Sequence, residues 1–387
     1  MEDNQLNKIV WFLVGNPQKI GSSRIHGLNV HNKLTELGYN SIIAYTPLHI
    51  EEAIPFHPDS TEKLSEILRE GDVVVLQKIK NLINLPLLRF LKNLRVHLIL
   101  IDCDLPLSIE IARLSDKVLC TSIELCNLYE KEGVKAQFIE DSPEKFKSPV
   151  HKKQGEKLNC YWFGEGNEER WKDVSMLREM IKNDPRLQNW KLITISNHPD
   201  SDIKWTPAFL TELAKADAIA LPIFNNNKAN QVKSANRLLQ SMALSVPVIC
   251  SPIPSYQRLV TSWQNAVICE TPEEWPDALV KLEDAGVREE LSENGYITAT
   301  KFGIDSNIGR WIKALELEEK FKTIHPRQLK ELQFKVTHFF SRQLMRRNIH
   351  YWSWEHFSLS SGLNFIYLKF MNLKKRLGNG HFLFWGR

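Results

Sequence analysis

The sequence predicts an α/β protein of two doubly wound domains that face a common cleft, followed by a basic helical extension. Three observations predict this fold class. Strand-like and helix-like patterns alternate in two successive runs, a polar stretch separates the runs, and the net charge changes sign near residue 320. The predicted boundaries are 1–145 for the first domain, 146–157 for a linker, 158–320 for the second domain and 321–387 for the extension.

The first run alternates short apolar strands with amphipathic helices. Its predicted strands are 8–15, 41–47, 73–77, 96–102, 117–120 and 136–139. Its predicted helices are 28–37, 62–68, 85–94 and 123–132. Gly38 and Gly133 follow two of these helices, and glycine often ends a helix. Near-continuous apolar strands between helices indicate a parallel sheet covered on both faces, which binds ligands beyond the carboxyl ends of its strands.

The second run begins after a polar stretch with two prolines, 142–157, which has the composition of a domain linker. Its predicted strands are 158–164, 190–196, 218–223, 246–251 and 266–270. Its predicted helices are 171–181, 209–214, 234–244 and 275–282. The two halves are therefore Rossmann-like in pattern. Two such domains around a cleft are shared by sugar transferases, epimerases and binding proteins, so the fold alone does not decide the function.

The net charge of +4 conceals two parts of opposite sign. Residues 321–387 contain 12 Lys/Arg and 2 Asp/Glu, which gives them a charge of +10 and leaves −6 for the rest. The same segment holds 14 of the 37 aromatic residues. Basic, aromatic, amphipathic segments suit an anionic membrane surface, although packing on the body, contact with another subunit of a homo-oligomer, and the less favoured nucleic acid remain alternatives.

Other patterns narrow the class of protein. Met1–Lys8 is polar and no run of 18 apolar residues occurs, so we expect a cytoplasmic protein, with peripheral attachment to the inner face of the membrane as one interpretation. The six cysteines form no CxxC pair and are expected to be reduced core residues. Neither metal-ligand spacing nor a GxGxxG, Walker or G-x-S-x-G pattern occurs, so no metal or cofactor is expected.

The most informative stretch is 225–252, in which an Asn-rich loop leads into a predicted helix near residue 233. Lys233 and Arg237 are four residues apart and share one face of its first turn. Cations at a helix N-terminus oppose the helix dipole at a cost of about 0.3–1 kcal/mol each, which favours an anion in front of them. A diphosphate would accept hydrogen bonds from the helix amides, the ammonium and the guanidinium together. A solvent-facing pair is the alternative.

The run KSANRLLQSMALSVPVICSPIPSY, 233–256, resembles the donor-binding element of retaining GT-B-fold glycosyltransferases, the group 1/4-like family. Segments 204–223, 159–171 and 21–40 are similar to other parts of that family, and the resemblance covers roughly 8–318. It implies a nucleotide-sugar substrate, such as a UDP- or GDP-sugar. The donor-binding residues expected on the second domain are Lys233, Ser234, Asn236, Arg237, Gln240, Gly164 and Asn197.

The chain departs from the family at two positions of this element. Many members have two glutamates eight residues apart, where this chain has Val232 and Gln240. Valine offers a sugar no charge, whereas Gln240 keeps the ability to hydrogen-bond a ribose hydroxyl. The identity of the donor sugar therefore stays open.

The opposite wall of the cleft is expected to come from the first domain. Gly21, Ser22 and Arg24 follow the first strand, and their amides could receive a phosphate or sugar, or simply begin a helix. The candidate catalytic residues are His26, Asp102 and Asp104. The two aspartates end the fourth strand, where one could orient or deprotonate an acceptor hydroxyl, with helix capping as the alternative. A lone histidine is more often structural.

The function predicted from these residues and the resemblance is metal-independent transfer of a sugar from a nucleotide sugar to a glycan or glycolipid. Retention of anomeric configuration is implied by the resemblance alone. The alternatives are a glycosyltransferase acting on modified DNA, an epimerase of the nucleotide sugar, and an inactive binding or scaffold protein suggested by Val232 and Gln240.

Overall fold

The protein contains two parallel six-stranded sheets, each covered by helices. The structure, a computed structural model, describes residues 7–56, 61–149, 157–225, 227–317, 321 and 329–340. The α/β fold of two doubly wound domains is confirmed.

The first sheet has the strand order β2-β1-β3-β4-β5-β6. Its strands are β1 (Ile9–Leu13), β2 (Ser41–Tyr45), β3 (Val73–Gln77), β4 (His97–Asp102), β5 (Lys117–Cys120) and β6 (Ala136–Phe138). The chain order reverses direction across the sheet between β1 and β3, and ligands of doubly wound sheets bind at such a point. β1 is buried along its whole length because helices cover both of its faces.

The second sheet has the order β12-β11-β10-β7-β8-β9. Its strands are β7 (Leu158–Phe163), β8 (Trp190–Ser196), β9 (Ile203–Lys204), β10 (Ala218–Leu221), β11 (Val248–Cys250) and β12 (Val267–Ile268). The predicted strands of both sheets are confirmed, although 246–251 and 266–270 shorten at both ends. The two-residue strand β9 lacks the apolar run by which the others were predicted.

Helices connect the strands on both faces of each sheet. The helices of the first domain are α1 (Gly21–Ser23), α2 (Asn29–Glu36), α3 (Thr61–Ile67), α4 (Leu85–Asn93), α5 (Ile109–Leu114) and α6 (Ile123–Lys131), with a π-helical turn at Arg24–Leu28. The later helices are α7 (Glu168–Asn183), α8 (Phe209–Leu213), α9 (Lys228–Gln231), α10 (Asn236–Ala243), α11 (Pro254–Gln257), α12 (Glu274–Lys281), α13 (Ala285–Thr300) and α14 (Ile304–Ala314). Side-chain caps begin several of them: the Ser122 hydroxyl accepts from Leu125 N–H at α6, and the Asn167 side chain accepts from Arg170 N–H at α7.

The boundary predicted at residue 320 needs a correction. Ile308 and Trp311 of α14 are buried in one apolar cluster with Trp11 of β1 and Ile99 of β4. The helix therefore packs on the first sheet, and the chain has crossed back to the first domain before residue 320. The amphipathic spacing of α14 could not show which sheet its apolar face would cover.

The beginning of the extension also belongs to the first domain. Residues 329–340 form a helix, called here the C-terminal helix, as the apolar spacing predicted. Val336, Phe339 and Phe340 are buried in the core of the first domain. The Gln333 side chain donates to the carbonyl of Ile43 and accepts from its N–H, which occupies backbone groups of the edge strand β2. This apolar face thus packs on the body. Residues 341–387, on which most of the membrane prediction depends, lie outside the described residues.

Two further expectations concern cysteines and membranes. All six cysteines are free thiols, five of them buried, as expected for reduced core residues. Among the residues that the structure describes, none of the helices combines the length and the apolar character needed to cross a bilayer.

Candidate active site

A cleft of about 420 Å³ lies between the two domains and gathers almost every predicted site residue. The following predicted site residues line this cleft: Gly21, Ser22, Arg24, His26 and Asp104 from the first domain, and Gly164, Asn197, Lys233, Ser234, Asn236, Arg237 and Gln240 from the second. Residues as far apart in the chain as Gly21 and Gln240 therefore face the same space. Of the predicted residues, Asp102 alone does not line this cleft.

Three cations form the centre of the second-domain wall. Arg170, on the first turn of α7, joins Lys233 and Arg237, and all three line both the cleft and a small adjoining pocket. Burial, together with the charge of Arg237, lowers the pKa of Arg170. Arg170 is not among the predicted site residues, because it lies 63 residues before Lys233 and only the pairing of β7 with β10 brings α7 beside α10.

Lys233 carries the clearest sign of this crowding. Burial and the neighbouring charges of Arg170 and Arg237 lower the pKa of Lys233 to about 8, against a smaller opposing effect of Glu169 and Asp173. Its ammonium donates to the Asn230 side chain. In the protein without ligand, the repulsion among the three cations is therefore not fully offset, which is the electrostatic setting of an anion site.

The helix that carries Arg237 begins two residues later than predicted. α10 starts at Asn236, and its N-terminal neighbour Ala235 provides no side-chain cap. Lys233 and Ser234 thus lie on the loop before the helix, not on its first turn as the spacing suggested. The Arg237 guanidinium donates to the carbonyl of Phe163 at 3.4 Å, at the end of β7.

Glycines shape the floor of the cleft beside this guanidinium. A Cβ atom on Gly164 would lie 3.2 Å from the Trp162 ring and 3.4 Å from the Arg237 side chain. A Cβ atom on Gly166 would lie 2.5 Å from the Cβ of His198 and 2.7 Å from its backbone nitrogen. Glycine at 166 therefore allows the loop after β7 to approach the loop after β8, which carries the exposed residue Asn197.

Gln240 is engaged by the protein itself. The side chain is buried, its Oε1 atom accepts from the Glu144 N–H at 2.6 Å, and its Nε2 atom donates to the Lys145 carbonyl at 2.9 Å. Both polar atoms of the side chain by which Gln240 was expected to bind a ribose hydroxyl are therefore already hydrogen-bonded within the protein. The amide instead fixes residues 140–147, the segment that joins the two domains, called here the joining segment.

Val232 is also turned to the first domain. It is buried in the apolar cluster formed by the first sheet, and its carbonyl accepts a hydrogen bond of 2.7 Å from Ser122. Both positions at which the chain departs from the resembled family therefore make contacts between the domains.

On the first-domain wall, Arg24 is already neutralised. Its guanidinium forms an ion pair with Glu144 through Nε and through Nη2, the latter at 3.0 Å, and Nη1 donates to the Pro17 carbonyl at 2.8 Å. Arg24 therefore positions the joining segment more than it offers charge to a ligand. Gly21 and Ser22 face the cleft, and Ile20 supplies no side-chain cap to their short helix.

His26 lies in the π-helical turn and is almost fully buried. Its Nε2 atom contacts Asp141 Oδ1, whereas its Nδ1 atom and Asp141 Oδ2 have no hydrogen-bond partner among the described residues. Nδ1 has no exposed surface. In this arrangement the Nε2 atom of His26 anchors the joining segment, although part of the residue lines the cleft.

Asp102 and Asp104 differ sharply although they are two residues apart. Asp102 is completely buried, accepts from the Tyr129 hydroxyl at 2.6 Å and pairs with Lys80 at 2.6 Å. Burial raises the pKa of Asp102 despite Lys80. Its predicted catalytic contact with an acceptor is incompatible with this placement. A strand-end aspartate can face either the cleft or the core, and the sequence does not distinguish them.

Asp104 is the carboxylate that reaches the cleft. Its side chain is 47% exposed and pairs with Lys78, whose backbone has a positive φ of 56°. Burial alone would raise the pKa of Asp104, but Lys78 and Lys80 hold it below its usual value. Asp104 is therefore ionised at neutral pH and can accept a hydrogen bond from a hydroxyl group in the cleft. The positive φ of Lys78 strains the backbone at this residue, and such strain is often found at functional sites.

Within the part of the chain that the structure describes, no three or more His, Cys, Asp or Glu side chains are grouped so as to hold a metal ion.

The fold is shared with several solved glycosyltransferase structures. Anabaena HepE in complex with UDP and glucose matches with a TM-score of 0.59 and 11% identity, over 81% of this chain and 100% of that chain. Sucrose-phosphate synthase from Thermosynechococcus elongatus matches with a TM-score of 0.58 and 12% identity, over 81% and 98%. A TarM structure matches with a TM-score of 0.53 and 10% identity, over 66% and 57%. No family model and no curated protein matches the chain by sequence.

The chain has the GT-B glycosyltransferase fold, as the resemblance implied. At identities of 10–12%, these likenesses establish the fold and leave the activity to be argued from the site.

Proposed function

We propose that this protein is a glycosyltransferase that moves a sugar from a nucleotide sugar, a UDP- or GDP-sugar, to a glycan or glycolipid. The observation that carries the proposal is the group of three cations, Arg170, Lys233 and Arg237, on one wall of the interdomain cleft. A diphosphate has the charge and the oxygen acceptors to satisfy all three. The UDP complexes of HepE, which has the same fold, support this ligand class.

The cations would act on the leaving group. When the bond between sugar and diphosphate breaks, negative charge develops on the phosphate, and groups already positioned there stabilise it without rearrangement. Amide groups at the start of α10 add to the same field. Three fixed cations supply the charge that a divalent metal supplies elsewhere, so we propose that transfer is metal-independent and that no cofactor takes part.

The remaining parts of the donor would lie on either side of the diphosphate. Trp205 and Phe209 line the cleft beside Asn197 and offer an aromatic surface to a nucleobase. The sugar would then extend towards Gly21, Ser22 and Asp104 of the first domain. In this arrangement, Asp104 orients the acceptor hydroxyl or a hydroxyl of the donor sugar. Retention of configuration follows from the resemblance and is part of the proposal.

Location and assembly remain predictions. We propose that the enzyme works in the cytoplasm in the synthesis of a cellular glycan. Homo-oligomer formation, and contact of residues 341–387 with membrane or nucleic acid, stay predictions.

A turnover assay tests the function. The full chain is incubated with UDP- and GDP-sugars, with EDTA, and with either a glycolipid extract or hydroxymethylated DNA, and products are identified by mass spectrometry. We expect transfer to the glycolipid that is lost in Arg237→Ala and kept in Lys191→Ala, a control in which an exposed lysine of β8 is removed.

The other outcomes separate the alternatives. Transfer to DNA would replace the acceptor class, and isomerised donor without acceptor would indicate an epimerase. Nucleotide binding without turnover would indicate a binding protein. Failure of every nucleotide sugar to bind would overturn the proposal.

A further inference from the structure

An exposed apolar patch lies at the mouth of the cleft, on the first domain. Ten large apolar side chains of the described residues are exposed, and four of them fall on two neighbouring loops. Leu48 and Ile50, on the loop after β2, are 53% and 61% exposed, and Leu82 and Ile83, on the turn after β3, are 51% and 62% exposed. We call these four residues the rim patch. Single exposed apolar residues are common, whereas a cluster indicates an interaction surface.

Hydrogen bonds hold the two loops together, so the fold itself keeps the four apolar side chains exposed. Asn84 is buried between them and accepts a hydrogen bond of 2.7 Å from the Ile54 N–H. Its side-chain nitrogen donates to the carbonyls of Glu52 and Asn81, each at 2.7 Å. One side chain thus ties three backbone groups of both loops, and the four apolar side chains are left on the outside.

The rim patch is continuous with the proposed active site. β2 and β3 are parallel to β1, so their carboxyl ends lie at the same edge of the sheet, where the cleft opens. Ile50 belongs to the patch and also lines the cleft, together with the exposed cation Lys19. A partner bound to the rim patch would therefore lie directly beside the opening through which the acceptor of the proposed reaction enters.

The charge of the chain indicates which kind of partner binds the rim patch. The extension has a net charge of +10, and cations attract the anionic surface of a bilayer over a Debye length. Lys19, which lines the cleft with Ile50, is exposed, as is Arg89 on α4, whereas the two acids of the loop, Glu51 and Glu52, are partly buried. Stable attachment to a bilayer usually requires two signals, and a basic segment with an inserted apolar patch provides both.

We infer that the rim patch inserts into the surface of an anionic lipid bilayer. The cleft mouth is then held against the membrane, and the acceptor taken from it is attached to a lipid. The statement about the acceptor rests on the proposed glycosyltransferase function, whereas membrane insertion does not.

Vesicle flotation of the full chain tests the inference. Vesicles of phosphatidylcholine with phosphatidylglycerol are compared with phosphatidylcholine alone, for the wild type and for the double variant Leu82→Ser/Ile83→Ser. The matched control is Met176→Ser/Ile297→Ser, which removes two apolar side chains of similar exposure from the second domain. Loss of two inserted side chains should lower the partition coefficient about tenfold or more, because 1.4 kcal/mol corresponds to a factor of ten. The control should float like the wild type.

Three results would overturn the inference. The first is that the wild type does not float with anionic vesicles. The second is that the rim variant floats as well as the control. The third is that sedimentation shows a wild-type dimer that the rim variant breaks, which would assign the patch to a second copy of the chain. UDP affinity and thermal midpoint, measured without vesicles, should be unchanged in the rim variant. Those two readouts separate a failure of membrane insertion from a misfolded variant and from a failure of the proposed function.

Discussion

Gln240 and Glu144 are joined across the domain boundary, where the Gln240 Oε1 atom accepts a 2.6 Å hydrogen bond from the Glu144 N–H. The Glu144 carboxylate in turn pairs with Arg24 on the opposite wall of the cleft. Gln240 lies one turn after Arg237 on α10. The helix that positions a proposed diphosphate ligand therefore also sets the position of the first-domain wall.

Replacing Gln240 tests this connection. In Gln240→Leu, the Glu144 N–H and the Lys145 carbonyl lose their partners, and a buried polar group left unpaired costs about 1–3 kcal/mol. We expect the free energy of unfolding to fall by about 2 kcal/mol in urea titrations. Gln257→Leu, which changes an exposed glutamine of α11, is the control and should differ little from the wild type. Equal stability of both variants would show that the contact does not hold the domains.

The lowered pKa of Lys233 predicts the pH dependence of nucleotide binding. Lys233 titrates near pH 8 in the free protein, and a diphosphate favours its charged form. UDP affinity should therefore be constant near pH 7 and fall above pH 8, by no more than about tenfold per pH unit. The terminal phosphate of UDP is already ionised in this range.

Calorimetric titrations with UDP from pH 7 to about 9.5 measure this effect. Lys233→Arg keeps the charge at every pH in the series, so its affinity should not fall above pH 8. A wild-type affinity that is flat to the end of the series, or a Lys233→Arg variant that falls with the wild type, would assign the pH dependence to another group.

The buried carboxyl group of Glu140 should make the free energy of unfolding depend on pH. It is fully buried at the domain junction, where it pairs with Arg258, and its backbone carbonyl accepts from Asn307 at 2.7 Å. Burial raises the pKa of Glu140 from 4.5 to about 7, against the effect of Arg258. Because the folded pKa is the higher one, the folded state holds the proton more tightly, and stability from this group is lost as the pH rises from about 4.5 through 7.

Glu140→Gln removes the titration and keeps the shape. Between pH 5 and pH 8 the wild type should lose about 2–3 kcal/mol relative to the variant. Denaturant unfolding of both proteins at the two pH values measures the difference. If the two proteins keep a constant difference in stability, the raised pKa of Glu140 is contradicted.

The C-terminal helix offers a matched pair of phenylalanines. Phe340 is buried with its ring 4.9 Å from that of Phe12, whereas Phe334 on the same helix is 70% exposed. Phe340→Ala should lower the free energy of unfolding by about 3–5 kcal/mol, and Phe334→Ala should change it by less than about 0.5 kcal/mol. Thermal and urea unfolding of the full chain compare them. Similar small effects would mean that the beginning of the extension is not part of the folded body.

The fold was predictable because its signals are local. Apolar strands, glycines after helices and a polar stretch between the two runs predicted both sheets, and the resemblance of 233–256 predicted the GT-B arrangement. The helix α5 was not predicted, and neither was the return of α14 to the first sheet, which depends on contacts between distant segments.

The site was predictable only in part. Twelve predicted residues line one cleft, because strand ends of a doubly wound sheet lie together. What those side chains do depends on partners that the local pattern does not contain. Gln240, Arg24 and His26 are each engaged by the segment 140–147, and Asp102 turns to the core. Arg170 was not predicted, since a single basic residue in the first turn of a helix, unlike the pair Lys233 and Arg237, is ordinarily a solvated one.

Calorimetric titration of UDP into Arg170→Ala and Lys172→Ala tests the central claim, that three cations of the cleft bind a diphosphate. The two residues lie on α7, but Arg170 faces the cleft and Lys172 is exposed to solvent. Loss of one charged hydrogen-bond donor should weaken binding about tenfold or more, while Lys172→Ala binds UDP like the wild type. Equal affinity of the two variants, or no binding of UDP to the wild type, would contradict the account.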